Sequence, residues 1–131
     1  VAIVRDPRDT WSSVIGRNQK YQGDSKTLAE LVHAWNELCR WIVDEDILHI
    51  RYEDLVSQPS SIEFILDELD LEMRKDCLTP ERTFGEGDDR AMKGGDIDSK
   101  SVGRYESELK PATSRFIEAQ SAAFMELMGY K

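Results

Sequence analysis

The sequence has few of the residues that bind metals or form disulfide bonds. Its two cysteines, Cys39 and Cys77, and its two histidines, His33 and His49, are spread over 131 residues. The cysteines have neither the spacing of a metal site nor the density of a small disulfide-bonded scaffold. We therefore expect no metal site, and the cysteine content is typical of a reducing, cytoplasmic setting.

Long apolar stretches and clustered positive charge are also missing. No stretch approaches the roughly 20 apolar residues of a membrane helix, and residues 1–20 lack the pattern of a signal peptide. The net charge is −9, whereas nucleic-acid-binding surfaces usually present clustered Lys and Arg. The sequence therefore predicts a single domain over residues 1–131 that binds neither membrane nor nucleic acid, with any anionic ligand held by a local site.

The first residues combine a strand pattern with a helix start. Residues 1–4 are Val, Ala, Ile and Val, which is typical of a strand buried on both faces. Asp6 is a candidate N-cap and Pro7 suits the first helical position, so a helix is predicted to follow directly. Arg5 would then lie at the carboxyl end of the strand beside a helix N-terminus, which is where open α/β sheets bind anions.

One serine in this predicted helix shares a face with an acidic residue. Asp9 and Ser13 are four residues apart, so the Ser13 hydroxyl would face the crevice that Arg5 reaches. An arginine and a hydroxyl suit a phosphate group, with each charge-assisted hydrogen bond worth roughly 1.5–3 kcal/mol. The alternative is that Arg5 pairs with Asp6 or Asp9 and that Ser13 is merely solvated.

Apolar periodicity predicts three further helices and a second strand. Residues 47–52 are predicted to form a second buried strand, and in residues 60–71 Ser60 and Glu63 are predicted to form a capping box. The last helix should begin at Pro111 and stop at Gly129. The apolar stripe of the helix over residues 24–43 comprises Leu28, Leu31, Val32, Trp35, Leu38, Cys39 and Ile42; the inward positions of the last helix are Phe116, Ile117, Phe124, Leu127 and Met128.

Residues 79–102 lack any periodicity and contain four glycines. Irregular segments of this length are more often functional loops or disordered than structural connectors, and we expect this one to lie over a ligand site. The resulting fold class is α/β and rich in helices, with a parallel sheet of only two strands. Either the helices compensate for the small sheet, or part of the sheet lies outside this chain.

Three motifs, VRDPRDTWSS, YEDL and SVGRYESELKP, occur in this order. With them the sequence resembles the carboxyl-terminal half of the sulfotransferases that use 3′-phosphoadenosine 5′-phosphosulfate (PAPS), especially the bacterial-type sulfotransferase domain. The resemblance implies a partial P-loop-NTPase-like sheet and a single, partial sulfotransferase domain. It also implies that Arg5 and Ser13 bind the 3′-phosphate of PAPS or of adenosine 3′,5′-bisphosphate.

The resemblance implies further cofactor contacts. Tyr52 of YED would lie near the adenine, although it could instead complete the core of the sheet. Thr83 and Phe84 are similar to the segment that closes over the adenine. A second basic contact to the 3′-phosphate falls on Lys100 when the sequence is aligned on the Val-Gly-Arg step, and on Lys93 if composition alone is followed.

The family's phosphosulfate loop and its general-base histidine lie upstream of the Arg5 motif, and neither is present here. His33 and His49 are not predicted to replace that base, so no catalytic residue is assigned. The resemblance implies the carboxyl-terminal portion of an enzyme that transfers the sulfuryl group from PAPS to a hydroxyl or amine of an unidentified acceptor. We expect this chain to be inactive alone.

Two other functions are compatible with the sequence. In the first, a non-catalytic interaction domain buries Trp11, Trp35, Trp41 and the incomplete sheet edge against a partner or a second copy. In the second, the chain is part of a nucleotide kinase, although no GKS or GKT phosphate loop is present.

Overall fold

The computed structural model of the protein describes residues 1–72 and 99–131, which form a helix-rich α/β structure. A strand, two helices, a second strand and two short helices make up the first range, and two helices make up the second. Their bounds are β1 Ala2–Val4, α1 Pro7–Arg17, α2 Ser25–Asp44, β2 His49–Arg51, α3 Tyr52–Ser57, α4 Ile62–Glu68, α5 Tyr105–Glu108 and α6 Pro111–Leu127, with 3₁₀ turns at Gln19–Tyr21 and Pro59–Ser61.

The two strands are parallel neighbours, as the sequence predicts. Ala2 pairs with His49 in the register, and the Ala2 N–H donates to the Leu48 carbonyl at 2.9 Å. Because the N–H and C=O of successive strand residues point to opposite sides, those of Ile3 point away from β2, toward the other edge of β1.

One face of this sheet is covered by α2 and α6. The buried side chains of this cluster come from β1, α2 and the end of α6: Val4, Trp35, Cys39, Ile42, Met125 and Met128. A second cluster joins α1, α2 and α6 through Trp11, Leu28, Val32 and Ile117. Burial of large apolar side chains contributes about 1.5–3 kcal/mol each, so these two clusters hold the helices around the start of the chain.

The prediction that β1 is buried on both faces is wrong for the part of the chain that the structure describes. Val4 is fully buried, but Ile3 is 56% exposed and Val1 is also exposed. The predicted second strand is likewise only half-buried at Ile50. The reason is that α2 and α6 both pack on the Val4 side, and no described element of comparable size covers the Ile3 side.

The α2 helix agrees closely with the prediction from its periodicity. Asp24 is the N-cap, and its carboxylate accepts from the backbone N–H groups of Lys26 and Thr27. Most of the predicted stripe is buried, but Leu38 is exposed because it lies at the margin of the apolar face.

The structure differs from prediction around β2 and α4. The second strand ends at Arg51, and Tyr52 begins α3, a helix that was not predicted. The capping box is also wrong, because Ser61 occupies the N-cap position of α4 and makes no side-chain capping bond. In the last helix, Ile117 and Met128 are buried as predicted, whereas Phe116 and Leu127 are exposed.

Within the described ranges, no helix is both long enough and apolar enough to cross a membrane. Of the irregular segment predicted over 79–102, residues 99–102 form a bend and turns, and the rest lies outside the described residues.

The end of α6 provides a test of the backbone geometry. Gly129 adopts φ +77°, and a Cβ there would lie 3.2 Å from the Arg51 Nη1. We expect Gly129→Ala to lower the free energy of unfolding by about 1–2 kcal/mol from the backbone conformation alone, and further through crowding of Arg51. Urea denaturation measures the loss.

The matched control is Gly23→Ala. Gly23 has φ +88° but no heavy atom within 4 Å of an added Cβ, so it reports the backbone cost without crowding. Equal losses in the two variants would contradict a contribution from Arg51.

Candidate functional site

Arg5 lies directly after β1, at the carboxyl end of the strand, as predicted. Its Nη2 donates to the Ser101 carbonyl at 2.7 Å, and its guanidinium carbon lies 4.7 Å from the centre of the Tyr52 ring. The Tyr52 hydroxyl lies 2.9 Å from the Ser101 Oγ, so each of the three residues contacts the other two. We call Arg5, Tyr52 and Ser101 the Arg5 cluster.

The Arg5 cluster is assembled from three distant parts of the sequence. Arg5 follows β1, Tyr52 starts α3 directly after β2, and Ser101 lies in the turns before α5. The parallel pairing of β1 with β2 brings the first two together, because the carboxyl ends of parallel strands lie at the same edge of a sheet. Ser101 begins the SVGRYESELKP motif but was assigned no role, because its contact to Arg5 uses a backbone carbonyl that any residue could supply.

The alternative that Arg5 pairs with Asp6 is not what the structure shows. The Asp6 carboxylate caps α1 by accepting from the Arg8 N–H at 2.8 Å, and it also pairs with the Arg8 guanidinium at 2.7 Å. Arg8 further contacts Glu118 at 2.9 Å. Burial opposes the charge on Arg8, but the hydrogen bonds and the charge of Asp6 outweigh it and raise the pKa of Arg8.

Asp9 does not pair with Arg5 either. Its buried carboxylate accepts from the backbone N–H of Gly103 at 2.7 Å and from that of Tyr105 at 3.0 Å. Gly103 adopts φ +74°, a conformation that favours glycine. Asp9 therefore holds the segment that carries Ser101 against α1.

Arg5 makes no ion pair with any described residue, and its Nε is buried without a hydrogen-bond partner. An unpartnered buried donor costs free energy unless a ligand or water satisfies it. Among the described residues, the Arg5 guanidinium therefore has no carboxylate partner and lies at a strand end, a position that favours an anion.

Ser13 lies half-buried on α1. It shares a helix face with Asp9 and Gly16, by their spacing of four and three residues. The Arg104 Nη2 would lie 3.5 Å from a Cβ on Gly16, so the segment held by Asp9 runs along the face that carries Ser13. Arg104, which sequence reasoning did not assign to the site, pairs with Glu108 at 2.8 Å.

The other predicted cofactor residues have different outcomes. Lys100 is exposed in a turn and directly precedes Ser101 of the Arg5 cluster. Thr83, Phe84 and the alternative Lys93 lie outside the described residues. Their roles, like those of Arg5, Ser13 and Tyr52, remain predictions.

Two cavities next to β2 contain neither Arg5 nor Ser13 among their lining residues. One has a volume of about 350 Å³ and is lined by residues of β2, α3 and α4. The other has a volume of about 320 Å³ and lies between β2 and the end of α6. His49 lines both with an exposed side chain, and its Nδ1 lies 3.2 Å from the Ile47 carbonyl.

The tryptophans are distributed unevenly between core and surface. Trp11 and Trp35 are buried within this chain, whereas Trp41 is 55% exposed. Two of the three tryptophans that an interaction domain was expected to offer to a partner are therefore used in the chain's own core.

Comparison with known proteins supports the fold but gives no close relative. No family model matches the sequence, and no curated protein matches it. A solved structure, the sulfotransferase domain from the curacin biosynthetic pathway, is similar to this chain with a TM-score of 0.71. The sequences are 20% identical over 98% of this chain.

The chain has a sulfotransferase fold. This confirms, at the level of the fold, the resemblance seen in the sequence motifs. The matched region covers 52% of the curacin-pathway chain, so this chain spans about half the length of that sulfotransferase domain.

Asp9 gives a test of how the site is assembled. In Asp9→Asn, the amide NH₂ would face one of the two backbone donors, so we expect a loss of about 2–3 kcal/mol in the free energy of unfolding. Faster amide hydrogen exchange at Gly103 and Tyr105 should accompany it.

Asp24→Asn is the matched control, because Asn caps a helix as well as Asp does. We expect little change in that variant. Unchanged exchange at Gly103 in Asp9→Asn would show that Asp9 does not hold the segment.

Proposed function

We propose that this chain forms the 3′-phosphate and adenine side of the PAPS site of a sulfotransferase, and corresponds to the carboxyl-terminal half of that enzyme's P-loop-NTPase-like domain. The observation that carries the proposal is the Arg5 guanidinium, which is unpaired by any described carboxylate and lies at the carboxyl end of a parallel strand. The sulfotransferase fold supports the choice of ligand.

The residues present fit a phosphate group. The Arg5 Nε is a buried donor without a partner, and phosphate oxygens accept charge-assisted hydrogen bonds from guanidinium groups. Asp6 and Asp9 would repel an anion if they were free. However, Asp6 pairs with Arg8, and Asp9 accepts hydrogen bonds from two backbone N–H groups.

Tyr52 supports the adenine side of the proposal. It starts α3 rather than continuing β2, and its ring contacts Arg5 while its hydroxyl contacts Ser101. An aromatic ring beside an anion-binding arginine offers a stacking surface to the purine of the same nucleotide. The alternative, that Tyr52 completes the sheet core, has less support because Tyr52 belongs to neither buried cluster.

The proposal assigns the remaining contacts as the resemblance implies. Ser13 would donate to the 3′-phosphate from α1, Lys100 would supply a second positive charge, and Thr83 and Phe84 would close over the adenine. For Lys100, the supporting observation is its position next to Ser101, whose carbonyl already contacts Arg5.

When bound, PAPS supplies the activated sulfuryl group, and the residues proposed here would bind and orient its nucleotide. Neither a phosphosulfate loop nor a general base is assigned in this chain. We therefore propose that transfer to the acceptor hydroxyl or amine requires a further segment, and that the purified chain alone does not transfer sulfate from PAPS. Measurable transfer by this chain would contradict that part of the proposal.

The binding proposal is tested by a ¹⁵N–¹H NMR titration with adenosine 3′,5′-bisphosphate, with 5′-AMP and ATP as comparison ligands. We expect saturable shifts at Arg5, Ser13 and Tyr52 with the bisphosphate, and much weaker binding of the other two. Removing the guanidinium in Arg5→Ala should abolish the preference, since a single charge-assisted contact is worth roughly 1.5–3 kcal/mol, about 10- to 100-fold in affinity.

Arg40→Ala is the matched control. Arg40 is an exposed arginine on α2 that pairs with Glu37, so its loss changes the net charge equally without touching the site. A preference for ATP would favour the nucleotide kinase. A concentration-dependent dimer without any nucleotide response would favour the interaction domain.

A further inference from the structure

Residues 129–131 contact the carboxyl ends of β1 and β2 and the start of α1. The Tyr130 hydroxyl lies 3.0 Å from the Val4 carbonyl and 2.9 Å from the Glu53 Oε2. The Gly129 carbonyl accepts from the Arg51 Nη1 at 2.8 Å, and the Lys131 carbonyl accepts from the Arg8 Nη2 at 2.8 Å.

Glu53 connects Tyr130 to the residue that follows Arg5. While its Oε2 accepts from Tyr130, its Oε1 accepts from the Asp6 backbone N–H at 3.0 Å. Tyr130 thus contacts the carbonyl of the residue before Arg5, and through Glu53 it reaches the N–H of the residue after Arg5.

Trp35 completes the set of contacts around Arg5. Its Nε1 donates to the Arg5 carbonyl at 2.8 Å, and its ring lies 6.3 Å from that of Tyr130. Both peptide units that flank the Arg5 Cα are therefore held by hydrogen bonds. Because φ and ψ of Arg5 are set by these two peptide planes, the contacts also set the direction in which its side chain leaves the backbone.

We propose that Tyr130 and Glu53 are positioning residues for Arg5, and that they fix its guanidinium in the orientation that binds the 3′-phosphate. This inference rests on the proposed function. Burial and the charge of Glu53 both raise the pKa of Tyr130, so the phenol keeps the proton that it shares between its two acceptors.

The decisive variant is Tyr130→Phe, which keeps the ring in the core and removes only the hydroxyl. Tyr21→Phe is the matched control, because Tyr21 is a half-buried tyrosine that packs on the second cluster, away from the strand ends. The measured quantities are the dissociation constants for adenosine 3′,5′-bisphosphate and for 5′-AMP, obtained by NMR titration.

We expect Tyr130→Phe to weaken binding of the bisphosphate about 5- to 10-fold while leaving that of 5′-AMP unchanged, and Tyr21→Phe to change neither. In an Arg5→Ala background, adding Tyr130→Phe should cause no further loss, since residues that act through one another are not additive. Glu53→Gln should reproduce the effect, because its NH₂ would face one of the two donors that the carboxylate now accepts.

Three results would overturn the inference. Tyr130→Phe could bind the bisphosphate as tightly as Tyr21→Phe does. It could weaken the bisphosphate and 5′-AMP equally, as a general structural defect would. It could also cause the same loss with and without Arg5, which would show that it acts elsewhere.

The ligand-free spectrum separates failure of this inference from failure of the proposed function. If the wild-type chain does not bind the bisphosphate, the proposed function is overturned. The effect of Tyr130 on the conformation of Arg5 is then tested by the NMR signals of the Arg5 Nε–H, the Asp6 amide and the Trp35 indole. Shifts of these signals in Tyr130→Phe, but not in Tyr21→Phe, would support it, and unchanged signals would overturn it.

Discussion

The buried pair of Asp6 and Arg8 is the interaction on which the arrangement of the site depends. Asp6 caps α1, its N–H is held by Glu53, and Arg8 reaches α6 through Glu118. A buried carboxylate without a partner would be strongly unfavourable, so the two residues have to stay together. Because Arg8 pairs with Asp6, Arg5 does not. The two arginines therefore have different partners although they are only three positions apart.

The start of α1 could be predicted from neighbouring residues in the sequence, whereas contacts between distant residues could not. Asp6 caps α1 and Pro7 has the fixed φ of a first helical residue. Both effects are local and can therefore be predicted from the sequence. Arg5 was assigned to the site from its position at the strand end, whereas the contact of Arg8 to Glu118, 110 positions away, could not be predicted from local pattern. Tyr52 was predicted as a strand residue because its aromatic side chain suits a strand, whereas the chain turns into α3 there.

The exposed side chain of Ile3 and the packed layer next to Arg5 are separate features of β1. Ile3 has an exposed side chain, and its backbone groups face an edge that is unpaired among the described residues. The similar sulfotransferase domain is about twice as long as this chain. The carbonyls of Val4 and Arg5, however, accept hydrogen bonds from Tyr130 and Trp35, which belong to the layer that packs on Val4. These backbone hydrogen bonds next to Arg5 do not involve the Ile3 side chain.

The proposed anion site belongs to a chain of net charge −9, and this combination needs a physical explanation. Among the described residues next to Arg5, three carboxylates are engaged internally: Asp6 by Arg8, Asp9 by two backbone N–H groups, and Glu53 by Tyr130 and a backbone N–H. An anion at Arg5 therefore meets oxygens whose lone pairs already accept hydrogen bonds. Distant surface carboxylates are screened beyond a Debye length of about 8 Å at physiological ionic strength. The internal hydrogen bonds of these carboxylates thus leave Arg5 without a partner among the described carboxylates, which favours an anion there.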